Sequence, residues 1–169
     1  VGDMAVWENM VSETLSDPPA SRAGTLIDKT VCLDRTAGLI EAYDIRCEGP
    51  LAQTKLLSGG NMQKLILARA LSPEPAFILA NQPVRGLDEG AIAYVQTTLL
   101  EARRRGAGIL LISEDLDEVL ALSDRIAVLY RGRLFGPFDR DAVTVQEIGL
   151  LMAGHAAAIG TVAEPAHAD

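Results

Sequence analysis

Leu57-Ser58-Gly59-Gly60-Asn61-Met62-Gln63-Lys64 is a Ser-Gly-Gly turn that opens directly into a helical pattern, followed one short strand later by Asn81-Gln82-Pro83. Glycine in a loop before a helix removes the Cβ barrier to unusual φ and lets the backbone approach a ligand closely. The helix beyond it offers unpaired N–H groups and the positive end of its dipole, which together favour a phosphate. Working outward, the helix continues to Leu71, with Met62, Leu65, Ile66 and Ala70 on one face. Ser72-Pro73-Glu74-Pro75 stops it, because proline cannot continue the hydrogen-bond ladder. Ala76-Phe77-Ile78-Leu79-Ala80 is a continuous apolar run, the pattern of a strand buried on both faces of a parallel sheet. After a helix to about Arg105, Ile109-Leu110-Leu111-Ile112-Ser113 repeats that pattern.

In this order of motifs the chain resembles the ATP-binding-cassette (ABC) ATPases, over residues 1 to about 150. Leu57-Ser58-Gly59-Gly60 matches the family's signature motif, in which Gln or Asn follows the second glycine. The Asn61-x-Gln63-Lys64 continuation resembles the branch that drives bacterial sugar and nucleoside importers. The run 76–80 sits where the family has its Walker B strand, Gly86-Leu87-Asp88 matches the D-loop, and Ser113 precedes the place of the switch histidine. Val1 to Met10 resembles the segment just after the family's Q-loop. The resemblance implies an α/β fold, a partial P-loop NTPase with a mostly parallel sheet and a helical signature subdomain, lacking the phosphate-loop strand. It divides the chain into that subdomain (1–63), the C-terminal part of the ATPase core (64–154) and an Ala-rich, disordered tail (155–169).

The departures from the family pattern bear on chemistry. The family's Walker B strand ends in Asp-Glu, where Asp holds Mg²⁺ and Glu polarises the attacking water; here those positions read Asn81 and Gln82. An amide cannot accept the water's proton and is a poor ligand for a hard cation. The switch histidine is replaced by Glu114, an anion beside the place of a γ-phosphate. No G-x-x-x-x-G-K-[ST] loop occurs; Lys29, Lys55 and Lys64 are the only lysines, and none follows glycine. That loop cradles the phosphates with backbone N–H groups. The chain's own half-site therefore reads as degenerate at both catalytic positions, Gln82 and Glu114, and at the Mg-site position Asn81, and the chain alone is expected to be inactive.

The signature reads as intact. In the family it closes over ATP held by the phosphate loop of a partner domain, so the resemblance implies that Ser58, Gly59, Gly60, Asn61 and Gln63 serve ATP in trans. Ser58 Oγ and the N–H groups of Gly60 and Asn61 would be the donors, with Asn61 and Gln63 shaping the helix start. The plain alternative for Ser58-Gly59-Gly60 is a helix N-cap turn without further use. Leu87 and Asp88 would make D-loop contacts across the same dimer; the alternative for Asp88 is a turn residue. The implied cofactors are ATP and Mg²⁺, held mainly by a partner domain. The implied partners are a second nucleotide-binding domain, transmembrane permease subunits and, indirectly, a substrate-binding protein, with the chain peripheral on the cytoplasmic face of the membrane. A non-catalytic interaction or regulatory module derived from a truncated cassette is the competing reading.

Composition narrows the classes further. With 15 basic and 23 acidic residues the net charge is −8, which argues against a nucleic-acid partner. Arg103-Arg104-Arg105 is the only basic run, and it reads as a cationic helix end before Gly106. The acidic charge and the lack of a heptad run also weigh against an ABC-type ATPase of DNA repair. Cys32 and Cys47 lack metal-site spacing, so no metal centre is expected. No apolar stretch approaches the roughly 20 residues that span a bilayer.

Elsewhere, Val6 to Leu15 and Thr30 to Tyr43 read as helices, and Ser21 to Thr25 as a loop. Ile126 to Tyr130 and Arg133 to Phe135 read as a hairpin around Arg131-Gly132. Thr144-Val145-Gln146-Glu147 is a capping-box pattern opening a last helix to Met152. Glu114 and Asp115 read as helix N-terminal acids, and Asp115, Asp117 and Glu118 as a solvated face. The resemblance places the phosphate-loop strand between 109–112 and 126–130. Without it the neighbouring strands would show unpaired backbone groups and apolar side chains.

Overall fold

Val6 and Met10, one helical turn apart, are the apolar anchors of helix α1 (Val6–Val11). The computed structural model describes residues 1–22 and 26–155. These form two compact units: Val1–Leu79 with Pro83–Leu110, and Ala80–Gln82 with the chain from Leu111 onward.

In the first unit, α1 packs on α2 (Lys29–Ala42) and on α3 (Gly59–Leu71), the signature helix. Their shared core is Val6, Met10, Ile45, Leu65 and Ala68, flanked by Leu39, Ile40 and Met62. A smaller cluster joins Val11, Ala20 and Cys32 under Trp7 and Leu15. Buried Asn9 donates to Thr54 Oγ1 at 2.8 Å, and Thr54 donates to the Met4 carbonyl at 2.8 Å, so these enclosed polar groups are satisfied.

The expected helix from Val6 to Leu15 stops at Val11, and turns follow. The Ser12 hydroxyl donates to the Asn9 carbonyl at 3.0 Å, a local bond that competes with the helical ladder. Within the expected loop, Ser21–Arg22 (β1) pairs antiparallel with Leu26–Ile27 (β2). The second helix starts at Lys29, because the Asp28 carboxylate caps it by accepting from the Val31 N–H.

The buried side of α3 differs from the expected one. Leu65, Leu67, Ala68 and Leu71 are buried, whereas Ile66 is 40% exposed and Ala70 is exposed. α3 packs against both α1 and α4 (Glu89–Arg104), so the face is set by two neighbours rather than one stripe. α4 buries Val95, Leu99 and Ala102 and ends at Gly106, whose φ of +100° suits a glycine C-cap.

Strands β3 (Phe77–Asn81) and β4 (Gly108–Ile112) pair with each other and are joined through α4. Gly108 N–H donates to Ala76 O at 2.9 Å where the strands begin, and Gln82 N–H to Ile112 O at 2.8 Å where they end, so the strands run parallel. The expectation that both faces are buried is corrected. Phe77 is 62% and Leu79 60% exposed, and Leu110 and Ile112 are about half exposed. Alternate strand positions share a face, and among the described residues nothing covers the face that carries Phe77 and Leu79.

In the second unit, β5 (Arg125–Tyr130) and β6 (Arg133–Asp139) form an antiparallel hairpin. Arg131 and Gly132 turn it with φ of 46° and 79°, as a two-residue turn requires. β6 runs past the expected Phe135, with an irregularity opposite Ile126 to Val128 that accommodates Gly136. α6 (Val145–Met152) seats Ile148 and Leu151 on Ile126, Val128 and Phe135. Its capping box is formed as read: Thr144 N–H donates to Glu147 Oε2 at 2.8 Å, and Glu147 N–H to Thr144 Oγ1 at 3.2 Å. These bonds, backbone first, hold the Glu147 carboxyl below its ordinary range.

α5 (Leu116–Leu122) packs Leu116, Val119 and Leu120 on the same core. Asp115 caps it, accepting from Asp117 N–H at 2.9 Å and Glu118 N–H at 3.3 Å. Glu118 is not on a solvated face, as the sequence suggested, but only 2% exposed; this short helix is enclosed on more than one side. The expected tail begins at His155, whose N–H bonds the Leu150 carbonyl at 2.8 Å; 156–169 lie outside the described residues.

Candidate functional site

Ser58 is the N-cap of α3, with extended backbone (φ −64°, ψ 161°) and an exposed side chain. Serine is favoured here because its oxygen accepts a bond from a first-turn N–H that has no helical partner. Ser58 Oγ accepts from the Asn61 N–H at 3.4 Å and from Asn61 Nδ2 at 2.9 Å. Asn61 Oδ1 in turn accepts from the Arg46 N–H at 2.8 Å. The Gly59 and Gly60 N–H groups have no acceptor among the described residues, so two donors at the positive end of α3 stay open. The Asn61 N–H, read from sequence as a phosphate donor, is directed at Ser58 Oγ instead. The side-chain bond from Asn61 to Ser58 was not anticipated, although Ser58-x-x-Asn61 has capping-box spacing.

The D-loop positions lie close to this turn within the same unit. Asp88 caps α4, accepting from Ala91 N–H at 2.9 Å, and Leu87 N–H bonds the Val84 carbonyl at 3.2 Å. A Cβ added at Gly60 would stand 3.6 Å from Ala91 Cβ, so the first turns of α3 and α4 are side by side. Gln63 reaches from α3 to the Pro83 carbonyl, donating from Nε2 at 2.8 Å. The structure thus brings Ser58, Gly59, Gly60, Asn61, Gln63, Leu87 and Asp88 into one neighbourhood.

Asn81, Gln82 and Glu114 belong to the other unit and gather at the finishing ends of β3 and β4. Gln82 is half-buried with φ of +50°, a left-handed backbone that costs a non-glycine residue on the order of 1 kcal/mol. Asn81 and Glu114 are exposed. Two neutral amides and one carboxylate do not fit Mg²⁺, which asks for near-octahedral oxygen ligation with carboxylates. Among the described residues no group of three or more His, Cys, Asp or Glu is arranged to hold a metal ion. Nor is any helix of the described residues long and apolar enough to cross a membrane.

No family model matches the chain. It is 41% identical over 152 residues to the nucleoside import ATP-binding protein NupA of Lactococcus lactis subsp. cremoris, covering 90% of this chain and 30% of that protein. It is 40% identical over 152 residues to the guanosine import ATP-binding protein NupO of Bacillus subtilis, with coverage of 90% and 30%. To the glucose import ATP-binding protein TsgD13 of Haloferax volcanii it is 38% identical over 162 residues, with coverage of 95% and 29%. The chain therefore spans about three tenths of the length of these relatives.

In fold it is similar to the cassette MJ1267 of an ABC transporter, with a TM-score of 0.65 at 23% identity over 90% of this chain and 60% of that one. It is also similar to the dimeric cassette MJ0796 bound to ADP and Pi, with a TM-score of 0.63 at 20% identity over 78% of this chain and 55% of that one. An α/β layer with a capped Leu-Ser-Gly-Gly helix, similar in fold to these cassettes, defines part of an ATP-binding cassette. The chain belongs to the ABC ATPases, and its homologues are sugar and nucleoside import ATP-binding proteins.

Proposed function

We propose that this chain donates its signature turn, Ser58-Gly59-Gly60, to ATP held by the phosphate loop of a partner cassette, in an ABC importer for simple sugars or nucleosides. The observation that carries the reading is the state of the turn. Ser58 is exposed, its proton has no acceptor among the described residues, and the Gly59 and Gly60 N–H groups stand open at a helix N-terminus. Three outward donors suit the γ-phosphate oxygens of a nucleotide that this chain does not itself grip. That MJ0796 is a dimer with ADP and Pi supports a composite arrangement, and the names of the relatives support the cargo class.

In this reading Asn81, Gln82 and Glu114 leave the chain's own half-site degenerate, with no base to activate water and no carboxylate for Mg²⁺. ATP and Mg²⁺ are held mainly by the partner domain. Permease subunits and a substrate-binding protein complete the importer, and the chain sits at the cytoplasmic membrane face. Leu87 and Asp88, beside the signature turn, take part in the same dimer contact.

The test is ATP turnover by this chain alone and mixed with a cassette that carries a phosphate loop. The expected result is activity stimulated only in the mixture and abolished by Ser58→Arg, which blocks the turn with a long side chain. Equal turnover with and without this chain overturns the reading.

A further inference from the structure

The geometry points to Asn61 as the positioning residue that turns the Ser58 hydroxyl into an obligate outward donor and couples it to the end of α2; this rests on the donated-signature reading above. A serine hydroxyl has one proton to donate and two lone pairs. Both lone pairs of Ser58 are addressed by Asn61, by its N–H at 3.4 Å and its Nδ2 at 2.9 Å. With the oxygen engaged as an acceptor, the proton is the capacity left over, and among the described residues nothing accepts it. Left to itself, an exposed hydroxyl rotates between donating and accepting arrangements; held this way, it is set for an anion before one arrives. Preorganised donors of this kind stabilise developing charge without reorganisation.

The amide that sets Ser58 is itself fixed. Its other end, Oδ1, accepts from the Arg46 N–H at 2.8 Å, which also defines which end of the side chain carries the nitrogen. One turn further along α3, Lys64 Nζ binds Asp44 twice, at 2.6 Å to Oδ2 and 2.8 Å to the carbonyl oxygen. Residues 61 and 64 lie on one helix face, and together they clasp segment 44–46, which leaves the C-terminal end of α2. Movement of that segment would therefore reach the Ser58 hydroxyl through a single side chain, Asn61.

The decisive experiment is a double-mutant cycle on ATP turnover by this chain mixed with a phosphate-loop-bearing cassette. Asn61→Ala should lower kcat about five- to tenfold with KM for ATP within about twofold, the range of one lost hydrogen bond. In the Ser58→Ala background the same change should cost nothing further, a coupling that a merely structural residue would not show. Lys64→Met, which loosens the clasp without touching Ser58, should lower turnover by less than Asn61→Ala does, because the Arg46 N–H still holds Asn61 Oδ1. Additive losses from Ser58→Ala and Asn61→Ala overturn the positioning role while leaving the donated signature standing. A Lys64→Met loss as large as that of Asn61→Ala also overturns it. No loss from Ser58→Ala overturns both.

Discussion

Gln63 Nε2 donates to the carbonyl oxygen of Pro83 at 2.8 Å, so the signature helix holds the residue that directly follows Gln82. Glutamine here reaches across to the loop after β3, beyond the helix-start role that its place in the motif suggested. Gln63→Leu leaves the Pro83 carbonyl without this partner at a half-buried position and should cost about 1 kcal/mol. In a domain of this size that lowers Tm by about 2–4 °C. Gln63→Glu presents a carboxylate oxygen to a carbonyl oxygen and should lower Tm further. Thermal melts followed by circular dichroism check both, and wild-type Tm in both variants would remove the bond from the account of this loop.

The clasp on Asp44 predicts a pH dependence. Lys64 Nζ also lies 4.7 Å from the Tyr94 ring centroid, and its side chain is mostly covered whereas that of Asp44 is mostly exposed. The Lys64 hydrogen bond, and then its charge, hold the Asp44 carboxyl below its ordinary value. A carboxylate depressed in the folded state contributes stability above its unfolded pKa, about 3.9, and loses it as pH falls through the lower folded value. The Tm difference between the wild type and Lys64→Met should hold steady from pH 7 to 5. It should then shrink between about pH 4 and 2 by the carboxylate's share, leaving what the bond to the Asp44 carbonyl and the contact with Tyr94 contribute. A difference that persists undiminished at pH 2 would place the effect in packing on Tyr94, with no part for the carboxylate.

These contacts show what was legible in the sequence. Ser58-Gly59-Gly60 before a helix and Thr144-x-x-Glu147 before α6 were readable because capping chemistry is local, set by residues three apart. The apolar runs 76–80 and 109–112 were readable as strands, but their burial was not: exposure of Phe77 and Leu79 depends on what lies across the sheet. The α3 face shifted for the same reason, since contact with both α1 and α4 settles whether Ile66 or Leu67 turns inward. Bonds such as Asn61 to Arg46 and Gln63 to Pro83, 15 and 20 residues apart in sequence, leave no periodic trace in it.

Glu118 gives a third prediction. Its two carboxylate oxygens are buried and have no hydrogen-bond partner among the described residues, with the residue 2% exposed. A buried polar group left without a hydrogen-bond partner costs about 1–3 kcal/mol. Glu118→Leu, which puts an apolar side chain of similar volume there, should therefore raise the Tm of this chain, and Glu118→Gln, which keeps a polar group, should raise it less. A fall in Tm for both would reveal a partner that stabilises the carboxylate.

The open face of β3 gives the fourth. Leu79 is 60% exposed and Phe77 62%, two positions apart on one strand face. Exposed apolar strand residues contribute little to stability, because they leave water only in part, yet they offer a surface to other chains. Leu79→Thr introduces a β-branched side chain suited to a strand and removes apolar area from that surface. Its stability should stay within the ~0.5 kcal/mol typical of surface changes, while light scattering on heating and binding of a hydrophobic dye both fall. Ala80, next in the strand and 8% exposed, is the contrast: Ala80→Asp places a charge at a buried position and should unfold the chain. If Leu79→Thr instead lowers stability by an amount typical of core truncation, about 2 kcal/mol or more, this face is covered in solution and the open sheet surface is refuted.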